Sequence, residues 1–158
     1  MKLSIHSNIR DYEAVFEETD AFVDSLSKHS QACFVVDDNV WKIHSPTLLK
    51  QLPAEQVIII PIHENRKNLD TVQSLYDRMV EYPAKRNLTM ISIGGGILQD
   101  VSGFAASTIY RGINWIYIPT TLLAQADSCI GSKTSLNYSS YKNLVGTFYP
   151  PTRIHIYT

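Results

Sequence analysis

Three consecutive glycines, Gly94, Gly95 and Gly96, stand in "ISIGGGILQD" (91–100) between a short apolar alternation and a segment with helical spacing. A glycine turn before a helix lets backbone N–H groups approach an anion closely, and the helix N-terminus adds a partial positive charge. Phosphate is the usual guest of such a turn. A tight turn that needs positive φ is the other use of a glycine run, and both readings stand at this point. The dinucleotide fingerprint is met only in part: Gln99 occupies the place of its third glycine, and no carboxylate lies between residues 101 and 126 to take a ribose hydroxyl.

A second group of reactive types follows. Arg111, Asp127, Lys133, Lys142 and Asn143 occur in a stretch otherwise short of charge. Cations of this kind bind carboxylate or phosphate through charge-assisted hydrogen bonds, while a carboxylate accepts from a hydroxyl. "CIGSKTS" (129–135) is not a triphosphate loop, because Ser132 precedes Lys133 and Asp127 holds the place of the first glycine. Lys133 is then either a solvated lysine or an anion ligand. The five histidines (6, 29, 44, 63 and 155) are dispersed without an i,i+4 pair, so no metal site is expected wholly within this chain. There is no G-x-S-x-G, and Cys33 and Cys129 have no paired spacing.

These residues need elements to position them. Residues 11–28 put Val15, Phe16, Phe22, Val23 and Leu26 on one helical stripe, and "ACFVVDD" (32–38) reads as a buried strand ending in carboxylates. A short helix over 45–52, a strand at 57–62, a longer helix over 68–82, a strand at 90–93, a helix from about Leu98 to Thr108 and a strand at 115–118 continue the alternation. Strand and helix repeated in this way predict an α/β fold, Rossmann-like, with a mostly parallel sheet and helices on both faces. Ligands gather at the carboxyl ends of such strands. Asp37 to Asn39, His63 to Lys67, Gly94 to Gly96 and Pro119 to Thr121 all fall there, which predicts one shared crevice.

The bulk properties narrow the classes. The chain has 158 residues, 44% of them hydrophobic, and a net charge of −1, an ordinary domain that can bury one core. Nothing in that balance suits a general nucleic-acid or membrane-surface binder. The charge is uneven, with 10 basic against 14 acidic residues over 1–107 and 4 against 1 over 108–158, so a small anion prefers the second part. Unpaired cysteines, no apolar signal core in "MKLSIHSNIRDYEAVF" and no run near the roughly 20 apolar residues of a membrane span point to the cytoplasm.

Taken in order, "DDNV", "HENRKNLDTV", "GGGILQDVSGFAAST", "YRGINWIYIPTTLLAQADSCIGSKTSLN" and "YKNLVGTFYPP" resemble the N-terminal domain of 3-dehydroquinate synthase and related sugar phosphate cyclases. The resemblance implies a lyase-type reaction on a seven-carbon keto-sugar phosphate: bound NAD transiently oxidises a hydroxyl, phosphate is eliminated, the ketone is reduced again and an aldol step closes the ring. It implies that Asp37 and Asn39 face the adenosine part of NAD, Glu64 and Lys67 the ribose region, Gly95, Gly96, Ile97 and Asp100 the pyrophosphate and its surroundings, and Thr120 with Thr121 the nicotinamide side. Arg111, Asp127, Lys133 and Asn143 match substrate positions, and Lys142 matches a cofactor position. The family's divalent metal, zinc or cobalt, is held by a helical C-terminal domain that this sequence does not contain, so the resemblance implies that residues 1–158 are the NAD-binding domain of a longer, homodimeric enzyme, inactive alone. Gln99 and Ser132 replace glycines of the family pattern, and "ADSCIGS" looks more like the divergent cyclases. A related cyclase with another substrate and a stand-alone nucleotide-binding module are the alternative readings.

Overall fold

A computed structural model describes residues 1–83 and 85–158. In chain order the elements are β1 (Lys2–Ile5), β2 (Tyr12–Glu17), α1 (Ala21–Ser27), β3 (Ala32–Asp37), α2 (Asp38–His44), β4 (Val57–Ile60), α3 (Leu69–Met79), β5 (Thr89–Gly94), α4 (Gly96–Thr108), β6 (Asn114–Pro119), β7 (Lys133–Tyr138), β8 (Tyr141–Phe148) and β9 (Arg153–Tyr157). Seven strands form one sheet in the order β1-β2-β9-β6-β5-β3-β4, parallel throughout except for the antiparallel pair β1 and β2. β7 and β8 make a separate antiparallel hairpin.

The central strands are apolar on both faces because both are covered. Cys33, Val35, Met90, Trp115, Tyr117 and Ile154 pack under Val72, Leu75 and Met79 of α3 and Leu98, Val101 and Ala105 of α4. Phe34, Val36, Ile91, Ile93 and Ile118 pack the other way against Phe22 and Val23 of α1 and against Leu49 and Leu52. Helices on both faces of a mostly parallel sheet are what the alternation predicts. Burial pushes the Cys33 thiol up to about 12 and raises that of Cys129, so neither is a nucleophile at neutral pH.

Three local expectations are corrected. Residues 12–17 form strand β2, not the start of a helix: Tyr12 and Ala14 turn inward with period two, and the pairing that selects this conformation comes from β9, 140 residues away in sequence for Glu13 and Arg153. The short helix lies at Asp38–His44, ahead of the expected 45–52, since the Asp37 carboxylate accepts the Asn39 N–H at 2.8 Å and starts the helix at the strand end. Pro46 then has no N–H to extend it, and residues 45–50 continue only as turns. Finally, α4 begins at Gly96, two residues before the expected start, which makes Gly95 its N-cap and Gly96 its first residue.

His155 on β9 is buried, stacked on Phe22 with ring centroids 5.2 Å apart, and its Nδ1 lies 2.5 Å from Glu17 Oε1. Burial lowers its pKa, partly offset by Glu17. A histidine held neutral in the fold stabilises above its unfolded value of about 6.5, and that contribution is lost as the pH falls below it. The thermal midpoint therefore drops between pH 7.5 and 5.5, and His155→Gln flattens that slope. An unchanged slope in differential scanning fluorimetry rejects this assignment.

Candidate functional site

The glycine turn closes the carboxyl end of β5, and its three residues answer to different constraints. None of them has positive φ, so the requirement is space and not turn geometry. A Cβ on Gly94 would meet Leu98 Cδ2 at 2.6 Å and Asp37 Cβ at 3.2 Å, and one on Gly95 would meet Thr121 Cγ2 at 3.0 Å. Gly96 has only Ser128 Oγ nearby, at 3.5 Å, and lines an open cavity. Gly95 caps α4 without any side-chain bond, which leaves the first-turn N–H groups to be met from outside. The Gly94 carbonyl accepts twice, from the Thr120 N–H and the Tyr117 hydroxyl, each at 3.0 Å. Burial pushes the Tyr117 hydroxyl far up, so it stays a donor.

On the α4 side of this turn, Lys67, Gly96, Ile97, Asp100, Asp127 and Lys133 line a cavity of about 670 Å³. Lys67 is the buried cation at its base: Nζ lies 2.6 Å from Asp100 Oδ2 and donates to Asn143 Oδ1 at 2.6 Å. Asp100 also accepts the Ser135 N–H at 2.8 Å, and Ser135 Oγ donates to Asn143 Oδ1 at 3.0 Å. Asn143 takes left-handed φ (55°), and the Asn137 side chain holds its N–H at 3.0 Å. Asn137 donates in turn to Glu64 Oε1 at 3.0 Å, with Lys142 Nζ at 3.5 Å on the same oxygen. The Asn137 bond, helped by Lys142 and Lys67, holds the Glu64 carboxyl below the usual range. Thus six predicted residues from four segments (Glu64, Lys67, Asp100, Lys133, Lys142 and Asn143) meet around the β7–β8 hairpin. Asp127 and Lys133 are exposed at the rim, and among the described residues neither has an ion-pair partner.

On the opposite side of the sheet, Thr120 lines a second cavity of about 630 Å³ with Val40, His44, Gln125 and Tyr157. Asp37 sits against Gly94, with Asn39 following it in the first turn of α2. The stretch from Ile93 to Ile97 runs from this cavity into the other, and Gly94 and Gly95 form the ridge between them. The single predicted crevice is therefore divided: these two cavities flank the glycine turn, and Glu64 and Lys142 line a third hollow beside the β7–β8 hairpin.

Arg111 is the residue the structure does not bring in. It follows the far end of α4, a helix of 13 residues and so about 20 Å from the glycine turn. Three positive φ values in a row, at Tyr110 (51°), Arg111 (66°) and Gly112 (108°), reverse the chain there and leave Arg111 exposed. Sequence reading missed Ser135 and Asn137, whose only signal was membership of an alternating polar strand, and missed Gln99 as a structural partner of Ser128.

Fold and site together define an α/β domain with an anion-ready glycine turn between two strand-end cavities. The chain belongs to the 3-dehydroquinate synthase N-terminal family, whose pattern matches residues 57–158. It is 37% identical over 159 residues to 3-dehydroquinate synthase of Clostridium tetani, covering 99% of this chain and 41% of that relative. Among solved structures it is similar to 2-deoxy-scyllo-inosose synthase complexed with carbaglucose-6-phosphate, NAD+ and Co2+ (TM-score 0.81, 30% identical, 99% of this chain and 45% of that one). It is also similar to ValA, the 2-epi-5-epi-valiolone synthase of Streptomyces hygroscopicus subsp. jinggangensis 5008 with NAD+ and Zn2+ bound (TM-score 0.81, 30% identical, 98% and 44%). The chain spans less than half the length of these relatives.

Lys67→Met leaves Asp100 facing the protein interior without its cation. One-sided loss of a largely buried pair costs roughly 2 to 3 kcal/mol here, below the range for full burial because Asp100 keeps some water. Urea denaturation measures it, and Asp100→Asn added to Lys67→Met restores part of the loss. Equal stability of Lys67→Met and the parent sinks the assignment.

Proposed function

We propose that residues 1–158 form the NAD-binding domain of a sugar phosphate cyclase of the 3-dehydroquinate synthase type, acting with a second domain not contained in this sequence. The observation that carries this is the convergence of Lys67, Asp100 and the open face of Gly96 on one cavity, with Asn143 bonded to Lys67. The cradle at Gly96, with uncapped amides behind it, fits a pyrophosphate: a ligand oxygen can lie where a Cβ would stand. NAD, when bound, supplies a reversible hydride acceptor.

The chain's own residues bind and orient. Asp37 and Asn39 take the adenosine end, and Thr120 moves to that end as well, since it opens on the α2 side of the ridge. Gly95, Gly96 and Ile97 take the pyrophosphate, with Thr121 packed behind Gly95. Asp100, Glu64, Lys67 and Lys142 surround the reactive half of the cofactor. Lys133 neutralises substrate phosphate or carboxylate, while Asp127 and Asn143 bond substrate hydroxyls. Among the described residues no three His, Cys, Asp or Glu side chains converge, so this donor set does not fit a divalent metal. The second domain supplies the metal. Because Arg111 stands a helix length from the cavity, its substrate role requires a second copy of the chain, consistent with a homodimer.

No helix among the described residues is long and apolar enough to cross a membrane, and the reading places the enzyme in the cytoplasm. Calorimetric titration with NAD tests the proposal. The parent chain binds one NAD, and Gly96→Val, which has room in the free protein, folds with stability within about 0.5 kcal/mol but binds NAD at least tenfold more weakly. Equal affinity in the folded variant overturns the placement of the pyrophosphate.

A further inference from the structure

The rim carboxylate Asp127 is carried by an unusual piece of backbone, the π-helical turn Ala124–Ser128. Such turns are rare and short, and they occur frequently at functional sites. Its first half is anchored to the sheet: Gln125 Nε2 donates to the Pro119 carbonyl at 3.2 Å and to the Tyr157 carbonyl at 2.9 Å. Its second half, where Asp127 lies, is held differently. Among the described residues the one side chain from outside the turn that bonds residues 126–128 is Gln99. The Gln99 amide donates to the Ser128 carbonyl at 2.6 Å and accepts from Ser128 Oγ at 3.0 Å.

Both ends of this clamp are next to a carboxylate of the same cavity. Gln99 precedes Asp100 on α4, whose place is fixed by Lys67 and Ser135. Ser128 follows Asp127, whose own side chain is exposed. Gln99 itself is buried, with 6% exposure, so an unmatched amide there would be costly. An uncharged amide is suited to the position because it presents a donor to the carbonyl and an acceptor to the hydroxyl at the same time.

We propose that Gln99 is a positioning residue: through its two bonds to Ser128 it fixes the Asp127-bearing turn against α4 beside Asp100, and so sets the spacing at which the Asp127 carboxylate can hold a ligand hydroxyl. The inference rests on the cyclase reading for the nature of that ligand, a polyhydroxylated phosphate, and on the structure alone for the clamp.

Hydrogen exchange on the 158-residue chain tests the clamp directly. Gln99→Ala raises exchange over residues 125–130 about tenfold or more while Val101 to Ala106 and β5 keep their protection. Ser128→Ala gives a similar rise from loss of the hydroxyl bond, and the double variant adds less than the sum of the two. Gln99→Glu separates positioning from mere packing. At pH 7 its carboxylate cannot donate to the Ser128 carbonyl, and the turn loosens; below about pH 4.5 the protonated acid matches the amide, and protection, corrected for intrinsic rates, returns toward the parent. Gln99→Ala shows no such recovery. Unchanged exchange in Gln99→Ala, loosening spread over the whole domain, additive effects with Ser128→Ala, or no acid recovery in Gln99→Glu overturns the proposal. Titration with carbaglucose-6-phosphate in the presence of NAD examines the ligand separately: the parent binds, and Gln99→Ala binds at least tenfold more weakly. If the parent binds neither molecule the cyclase reading fails, and the exchange pattern still decides the role of Gln99. If both bind and Gln99→Ala binds the sugar phosphate as the parent does, the proposed control of spacing is rejected.

Discussion

The ion pair between Lys67 and Asp100 is the contact on which the rest of this site depends. It joins the turn before α3, the first turns of α4 and the β7–β8 hairpin through one polar centre. Taking two charges out of water is unfavourable, and the mutual attraction repays it only when the remaining bonding capacity of both groups is met. Here the Ser135 N–H meets one carboxylate oxygen, and Asn143 meets the ammonium. The hairpin is thereby held in one register over the cavity. Gly103 reinforces this arrangement from below, because a Cβ there would meet Thr134 Cγ2 at 2.5 Å and the Trp115 ring at 3.1 Å.

Around that centre the two faces of the sheet are put to different uses. The α1 and α2 side offers a largely apolar hollow with few charges, lined by Phe22, Val40, Leu48 and Tyr157. The α4 and hairpin side gathers Lys67, Asp100, Asp127 and Lys133. A long ligand with one flat, weakly polar end and one charged end would lie across the ridge with each part in matching surroundings.

Much of this was legible in the sequence, and the failures have physical causes. β3, β4, β5 and β6 show themselves as short apolar runs, because strands buried on both faces need no polar alternation. α3 is plain from Leu69, Val72, Leu75 and Met79. β2 was hidden because its partner β9 is supplied by the other end of the chain, and the stripe of Val15 and Phe16 fits either period. The α2 boundary turned on one capping bond from Asp37. Among site residues, charged ones announced themselves, whereas Ser135, Asn137 and Gln99 act through hydrogen bonds that no spacing reveals. Arg111 read as part of the group only because sequence order does not say at which end of a helix a neighbour will stand.

The double acceptance at the Gly94 carbonyl has a kinetic meaning. With Thr120 and Tyr117 both donating to it, the peptide plane between Gly94 and Gly95 cannot rotate without breaking two bonds, one of them deep in the core. The amides that follow are therefore preorganised, so the anion proposed for this turn would meet them already set. Under that proposal, discrimination between guests would fall mainly to how fast each one leaves.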